Sequence, residues 1–225
     1  WDYVRTPAAL HDAAITDVIT NAIIFKPAVV KPSGEAQTII DETVWDIARE
    51  PIAQTFKYGK QFLTVVGNHF KSKSGTDPTP QPGQDAFNDE RVEQAQALLT
   101  FATGLSQDRK TDLYLVGDFN SYAKEDPIKV FTDAGWNDLL FTKARGQYTY
   151  TFDGELGSLD HVITSPTASD KVTKAAVWSI NSPEWSGREY WGPAAEAGTP
   201  YRSSDHDPIL VGVAAEQVPG TVDID

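Results

Sequence analysis

The amino-acid sequence predicts an α/β fold in which a mixed sheet is layered with helices. Short segments rich in apolar and β-branched residues recur along the chain and indicate strands. One segment, 92–102, instead has its apolar residues at helical spacing. Polar clusters follow directly on several predicted strands, which is where open α/β sheets carry their sites.

The predicted elements follow one another without an internal repeat. The helix at 92–102 has Asp89 and Glu90 near its start, where the helix dipole favours acidic side chains, and we expect it to end at Gly104. A shorter helix is predicted at 127–134. The continuous apolar run 113–116 is typical of a central strand covered on both faces. The other predicted strands are 61–70, 148–152, 160–164, 172–180 and 207–215, and the long predicted loops are 75–83 and 181–204.

Composition restricts both the organisation and the chemistry of the chain. Its 225 residues suit one domain, which we place at 1–215, followed by an acidic tail or linker at 216–225. The absence of cysteine excludes disulfides, thiolate metal sites and cysteine nucleophiles, so a metal would need oxygen or imidazole ligands. No apolar run approaches the roughly 20 residues of a membrane span. The net charge of −13 excludes binding of polyanions through overall charge.

Asn68 and His69 end the predicted strand 61–70 in a locally basic stretch. Residues 51–75 contain no acidic side chain, but they contain Lys57, Lys60, Lys71 and Lys73. Two interpretations are equally favoured by this cluster alone. Either His69 is a proton donor or phosphate contact with lysines around it, or the segment is a solvated basic edge strand with an incidental histidine.

Asp118 and Asn120 follow the strand 113–116. Because side chains two residues apart on a strand point the same way, both should face one pocket. An acid can orient or deprotonate a water molecule, and an amide can donate to a developing phosphate charge. Taken alone, however, this segment is more typical of an Asx turn at the end of a strand.

Two further clusters combine acidic side chains with histidine. Asp160 could hold an imidazole in one tautomer, whereas His161 faces the other side of its strand and is predicted to be structural. Asp205 and His206 would place a metal-binding carboxylate beside a general base, and Arg202 could bind a phosphate bidentately. The alternatives are a turn cap at Asp160 and a polar loop before the last strand.

Taken in order, four segments resemble the endonuclease/exonuclease/phosphatase superfamily, which has the deoxyribonuclease I-like fold. The segments are NHFKSK (68–73), GDFN (117–120), SLDH (158–161) and SSDHDP (203–208). They are most similar to secreted bacterial nucleases, and the resemblance spans residues 17–213. It implies a four-layered sandwich of two mixed β-sheets flanked by helices.

The resemblance also implies roles for individual residues. Catalysis is expected from His69, Asp118, Asn120, Asp160 and His206, and metal binding from Asp17 and Asp205. His206 would activate water or bind the scissile phosphate, and Asp160 would orient it at a hydrogen-bond distance of roughly 2.6–3.2 Å. Substrate binding is predicted for the polar and basic neighbours Asn68, Lys71, Lys73 and Arg202.

The sequence therefore predicts a Mg²⁺-dependent phosphodiesterase, with Mn²⁺ or Ca²⁺ as alternative cations. We expect a secreted endonuclease that acts on DNA or RNA and has no membrane partner. Periplasmic and cell-surface locations are the alternatives. The alternative functions are a phosphatase or sphingomyelinase-type phosphoesterase of the same superfamily, and a non-catalytic binding module.

Two further expectations concern the surroundings of the predicted pocket. The first strands of the superfamily, which carry a glutamate metal ligand, would precede Trp1, so an upstream segment of the same polypeptide is expected to complete the site. The loop aromatics Trp185, Tyr190 and Trp191, together with the basic side chains, could form a track for nucleic acid. Packing within the loop is the favoured alternative for these aromatics.

Overall fold

The structure is a computed structural model that describes residues 1–11, 19–46, 48–109, 111–188 and 198–214. The predicted metal ligand Asp17, the aromatics Tyr190 and Trp191, and the predicted tail at 216–225 lie outside the described residues. Among the helices that are described, none is long and apolar enough to cross a membrane.

The described chain alternates between short strands and a few helices. The strands are β1 (Asp2–Tyr3), β2 (Ile24–Phe25), β3 (Lys31–Pro32), β4 (Gln37–Thr38), β5 (Arg49–Tyr58), β6 (Gln61–His69), β7 (Asp112–Asp118), β8 (Asn137–Asp138), β9 (Tyr150–Phe152), β10 (Glu155–Gly157), β11 (Asp160–Thr164), β12 (Val172–Val177) and β13 (Ile209–Val213). The α-helices are α1 (Asn88–Arg109), α2 (Asp126–Asp133), α3 (Leu139–Lys143) and α4 (Pro166–Ser169). Two 3₁₀ helices are Ala8–His11 and Ser186–Arg188.

The central sheet has the strand order β3-β5-β6-β7-β11-β8, and β4 also pairs with β5. Strands β6 and β7 are parallel, whereas the other pairs in this sheet are antiparallel. The predicted α/β architecture with a mixed sheet is therefore confirmed. Outside the central sheet, the described residues form three two-stranded antiparallel sheets, β1–β2, β9–β10 and β12–β13.

Strand β7 is covered on both faces, as its continuous apolar run predicts. Leu113 and Leu115 belong to the core that the central sheet forms with α1 and α2. Tyr114 belongs to the second core, which includes residues of β12 and is packed against β13. Because side chains alternate along a strand, one strand supplies both cores and separates the two layers.

The structure corrects three predicted boundaries. Helix α1 continues past Gly104 to Arg109, because Leu105 is buried in the core and packing outweighs the weak helix propensity of a single glycine. The strand predicted at 172–180 ends at Val177. It ends early because the backbone beyond it turns to donate hydrogen bonds to Asp207. The last strand is likewise shorter than predicted and covers Ile209–Val213.

Three neighbouring strands meet at one edge of the central sheet. Strands β6 and β7 end there and β11 begins there, since the register pairs Asp118 with both His69 and Asp160. Gly117 permits this close approach. Its φ is +135°, and a Cβ atom at this position would lie 2.0 Å from the carbonyl oxygen of Asn68. Only glycine combines this backbone conformation with this contact.

We expect Gly117→Ala to destabilise the protein. Backbone strain alone costs about 1–3 kcal/mol, which lowers Tm by roughly 2–4 °C for each kcal/mol in a chain of this size. Gly104→Ala is the matched control, because a Cβ at Gly104 meets no atom within 4 Å inside α1. That control should raise the stability by about 0.5–1 kcal/mol. Thermal unfolding of both variants measures the difference, and an unchanged Tm for Gly117→Ala would contradict this account.

Candidate active site

His206 and Asp160 form a hydrogen-bonded pair at this sheet edge. Nδ1 of His206 lies 2.7 Å from Oδ2 of Asp160, which confirms the predicted distance. Asp160 begins β11, and His206 lies in the loop just before β13. Tyr150 stacks on the imidazole with a centroid distance of 4.5 Å. The bond to Asp160 places the Nδ1 proton between the two groups, and none of the described residues forms a hydrogen bond with Nε2.

The charges around His206 favour its protonated form. Burial by itself lowers the pKa of His206. The hydrogen bond to Asp160 and the charges of Asp160, Asp118 and Asp205 outweigh that effect and raise the pKa to about 9. At neutral pH the side chain is therefore an imidazolium, and its Nε2–H can donate to an anion.

Asp118 is the third member of this cluster. Burial raises its pKa most, and the charge of Asp160 adds to that, so the pKa reaches about 6. The charge of His206 and a hydrogen bond from the backbone N–H of Asn120 act in the opposite direction. His69 lies beside it, with Nε2 3.6 Å from Oδ2 of Asp118. The structure thus brings four of the predicted catalytic residues, His69, Asp118, Asp160 and His206, to one edge.

Asp118, Asp160 and His206 each place a potential ligand atom within 4.8 Å of the others. Because Nδ1 of His206 is hydrogen-bonded to Asp160, the carboxylates of Asp118 and Asp160 are the groups in this cluster that could bind a cation. Two carboxylates fit Mg²⁺, which typically takes one or two of them and completes its shell with water and phosphate. Asp205, a predicted metal ligand, is exposed and is not one of these three residues, although its charge acts on His206; its role as a ligand stays a prediction.

The side-chain amides of Asn68 and Asn120 donate hydrogen bonds to backbone carbonyls rather than lining an open pocket. Asn68 is buried, and its Nδ2 donates to the carbonyl of Val66 in β6 and, at 3.4 Å, to that of Val116 in β7. Asn120 is also buried, and its Nδ2 donates to the carbonyl of Phe70. Both amides therefore hold the ends of β6 and β7 together. The predicted substrate contact of Asn68 does not agree with this geometry, and Asn120 positions the site through the backbone.

The two predicted substrate-binding lysines have intramolecular partners. Nζ of Lys71 donates to the carbonyls of Ser72 and Ser74 and lies 3.9 Å from the ring centroid of Phe87. Nζ of Lys73 lies 2.5 Å from carboxylate oxygens of Asp85 and Glu125. Both ammonium groups thus already have partners within the protein, and their predicted contact with substrate stays a prediction. Lys57 and Lys60 flank the β5–β6 turn, at the far end of these strands from His69.

Arg202 and Asp207 hold the loop that carries His206. Arg202 is buried, and its Nη1 donates to the carbonyls of Asn181 and Ser182, so its predicted phosphate contact is not what the structure shows. Oδ1 of Asp207 accepts three backbone hydrogen bonds, from Ile180, Asn181 and Ser182. Asp207 is not among the predicted site residues, although it lies in the same SSDHDP segment as His206.

His161 is a buried structural residue, as its position on the face of β11 opposite to Asp160 predicts. It is fully buried, with Nδ1 2.9 Å from Oδ2 of Asp138 and Nε2 2.8 Å from the carbonyl of Ser121. Burial lowers the pKa of His161, but its bond to Asp138 outweighs this and raises it. Among the described residues, two aspartate–histidine pairs are thus joined by short hydrogen bonds: Asp138–His161 is buried, and Asp160–His206 is partly accessible.

Comparison with solved structures identifies the fold. A mannosyl-6-phosphatase of Bacteroides thetaiotaomicron aligns with a TM-score of 0.60 and 19% identity over 86% of this chain and 70% of its own. An endonuclease/exonuclease/phosphatase protein from Bacteroides vulgatus aligns at 0.57 and 17%, over 84% and 69%. D. rerio TDP2, solved with a single-strand DNA product, aligns at 0.57 and 16%, over 84% and 70%.

These alignments show that the chain has the endonuclease/exonuclease/phosphatase fold, as the four sequence segments predicted. No protein-family profile matches the sequence, and no curated protein matches it. The likeness lies in the architecture, since the identities are all below 20%.

Proposed function

We propose that the protein is a divalent-cation-dependent phosphodiesterase, and more narrowly a secreted endonuclease. The observation that carries the proposal is the Asp160–His206 hydrogen bond with the Asp118 carboxylate beside it at an accessible sheet edge. The single-strand DNA product of the structurally similar TDP2 supports nucleic acid as the substrate. The name of the mannosyl-6-phosphatase supports the alternative, a phosphatase acting on a small phosphate ester.

The local charges indicate the roles of His206 and Asp118. His206 is protonated at neutral pH, so its Nε2–H binds an oxygen of the scissile phosphate and stabilises the charge that develops there. Asp118 is ionised at neutral pH, so it can position the attacking water. Of the two functions that the resemblance allows for His206, the raised pKa thus favours phosphate binding.

The carboxylates of Asp118 and Asp160 would hold the divalent cation. When bound, such a cation polarises the phosphodiester as a Lewis acid. It would also relieve the repulsion between these two carboxylates, which contributes to the raised pKa of Asp118.

Secretion is proposed on the resemblance to secreted bacterial nucleases alone. Assaying the culture medium and the cells separately for the protein tests it.

Closed circular DNA tests the proposed activity. The purified chain with Mg²⁺ should convert supercoiled circles to nicked circles, because an endonuclease needs no free end, and excess EDTA should stop the reaction. The same preparation should release no phosphate from mannose 6-phosphate. Phosphate release with intact circles would instead support the phosphatase, and inactivity on both substrates would support a binding module.

A further inference from the structure

Three aromatic rings extend from the candidate active site to the surface. The imidazole of His206 stacks on Tyr150, with an angle of 30° between the rings. Tyr150 in turn lies nearly parallel to Phe152, at a centroid distance of 6.3 Å and an angle of 16°. The outermost ring is the most accessible, since Phe152 is 59% exposed. An exposed phenylalanine in line with a catalytic candidate offers a flat apolar surface beside the reacting phosphate.

The β9–β10 hairpin holds these rings in place. Asp153 and Gly154 connect its strands with φ values of +49° and +81°, the conformation of a two-residue type I′ turn. Oγ1 of Thr151 is hydrogen-bonded to Oγ of Ser182 at 2.7 Å, which ties the hairpin to the neighbouring loop. Gly157 lies against the ring of Tyr122, where a Cβ atom would come within 2.4 Å. The aromatic surface is therefore built on a fixed support.

Charge does not provide an attractive surface for a polyanion on this hairpin. The chain carries a net charge of −13, and Asp153 and Glu155 flank the turn. The lysines predicted to bind phosphate, Lys71 and Lys73, are engaged with intramolecular partners. A neutral, planar part of the substrate fits beside Phe152 better than a phosphate does.

We propose that Phe152 is a substrate-binding residue that stacks on the nucleobase flanking the scissile phosphate. The inference rests on the proposed phosphodiesterase function and specifies how that site recognises nucleic acid. Base stacking on an aromatic side chain tolerates every base, because every base has a π face. The proposal therefore predicts binding that depends on the presence of a base and little on its identity.

Two chromogenic phosphodiesters isolate the contribution of the base. Thymidine 5′-(p-nitrophenyl phosphate) carries a nucleobase, whereas methyl p-nitrophenyl phosphate lacks one, and both release p-nitrophenolate. Phe152→Ala should raise KM for the thymidine ester by about 5- to 150-fold, the range that corresponds to one base–aromatic stack. Its kcat for that ester and both constants for the methyl ester should stay near the wild-type values. Phe152→Trp should retain a low KM for the thymidine ester.

Phe62→Ala is the matched control, because Phe62 is a partly exposed phenylalanine near the opposite end of β6 from His69. It should leave all four constants unchanged. An equal rise in KM for both esters, or no rise for either, would overturn the stacking proposal while leaving the hydrolase intact. Hydrolysis of mannose 6-phosphate by the wild type, with a higher KM in Phe152→Ala, would also overturn it, in favour of a sugar ring at Phe152. Inactivity of the wild type on both esters would instead count against the proposed function itself.

Discussion

His206→Ala is expected to lower kcat on a phosphodiester by about 10²–10³, the usual cost of removing one hydrogen-bond donor to the charge that develops in the transition state. The variant loses the imidazolium that the bond to Asp160 holds and that donates to the phosphate. Because this interaction strengthens as negative charge develops, kcat should fall more than KM rises. Steady-state hydrolysis of thymidine 5′-(p-nitrophenyl phosphate) measures both constants.

His11→Ala controls for the loss of a histidine, since His11 is exposed at the end of a 3₁₀ helix. That variant should keep the kcat and KM of the wild type. A kcat of His206→Ala within about threefold of the wild type, well short of the usual effect, would exclude His206 from the chemistry.

Asp160→Asn should be comparably damaging although it changes the shape of the side chain little. The amide loses the negative charge that raises the pKa of His206, and it can present an N–H to Nδ1 in place of an acceptor. The same replacement in Ser–His–Asp enzymes costs about 10⁴ in kcat, because the histidine adopts the wrong tautomer. We expect a loss of about 10²–10⁴ and a lower pKa for His206, which an NMR titration of its imidazole measures.

The buried pair Asp138–His161 supplies the control for Asp160→Asn. Asp138→Asn alters the buried bond to His161, and disruption of a buried pair of this kind costs about 3–5 kcal/mol. Asp138→Asn should therefore lower Tm without lowering kcat per folded molecule. Asp160→Asn should lower kcat and leave Tm unchanged. A lower Tm with an unchanged kcat would show that Asp160 has only a structural role.

The sequence allowed the central part of the site to be predicted because strand geometry is regular. Asp118 and Asp160 lie at strand ends, and the alternation of side chains correctly separated Asp160 from the buried His161. The contact between Asp160 and His206 crosses 46 residues of sequence, and the family resemblance predicted it. The α/β architecture followed in the same way from apolar periodicity.

The surroundings of the site could not be predicted, because they depend on contacts between distant loops. Lys73 follows the end of β6, where the two-residue period no longer fixes the direction of a side chain, and its partner Glu125 is 52 residues away. Asp207 binds the backbone of a segment 25–27 residues earlier, and no local pattern reveals that partner. The sequence therefore showed which charges were present and not which of them were already paired.

Hydrolysis of closed circular DNA in ¹⁸O-labelled water tests the central claim most directly. If the Asp118, Asp160 and His206 cluster activates water against a phosphodiester, mass spectrometry should find one ¹⁸O atom in the single terminal phosphate that each cleavage leaves, and none in the hydroxyl of the other new end. His206→Ala should give far less labelled product under the same conditions. Circles that stay intact with the wild-type chain and Mg²⁺, cleavage without ¹⁸O, or equal cleavage by His206→Ala would contradict the account.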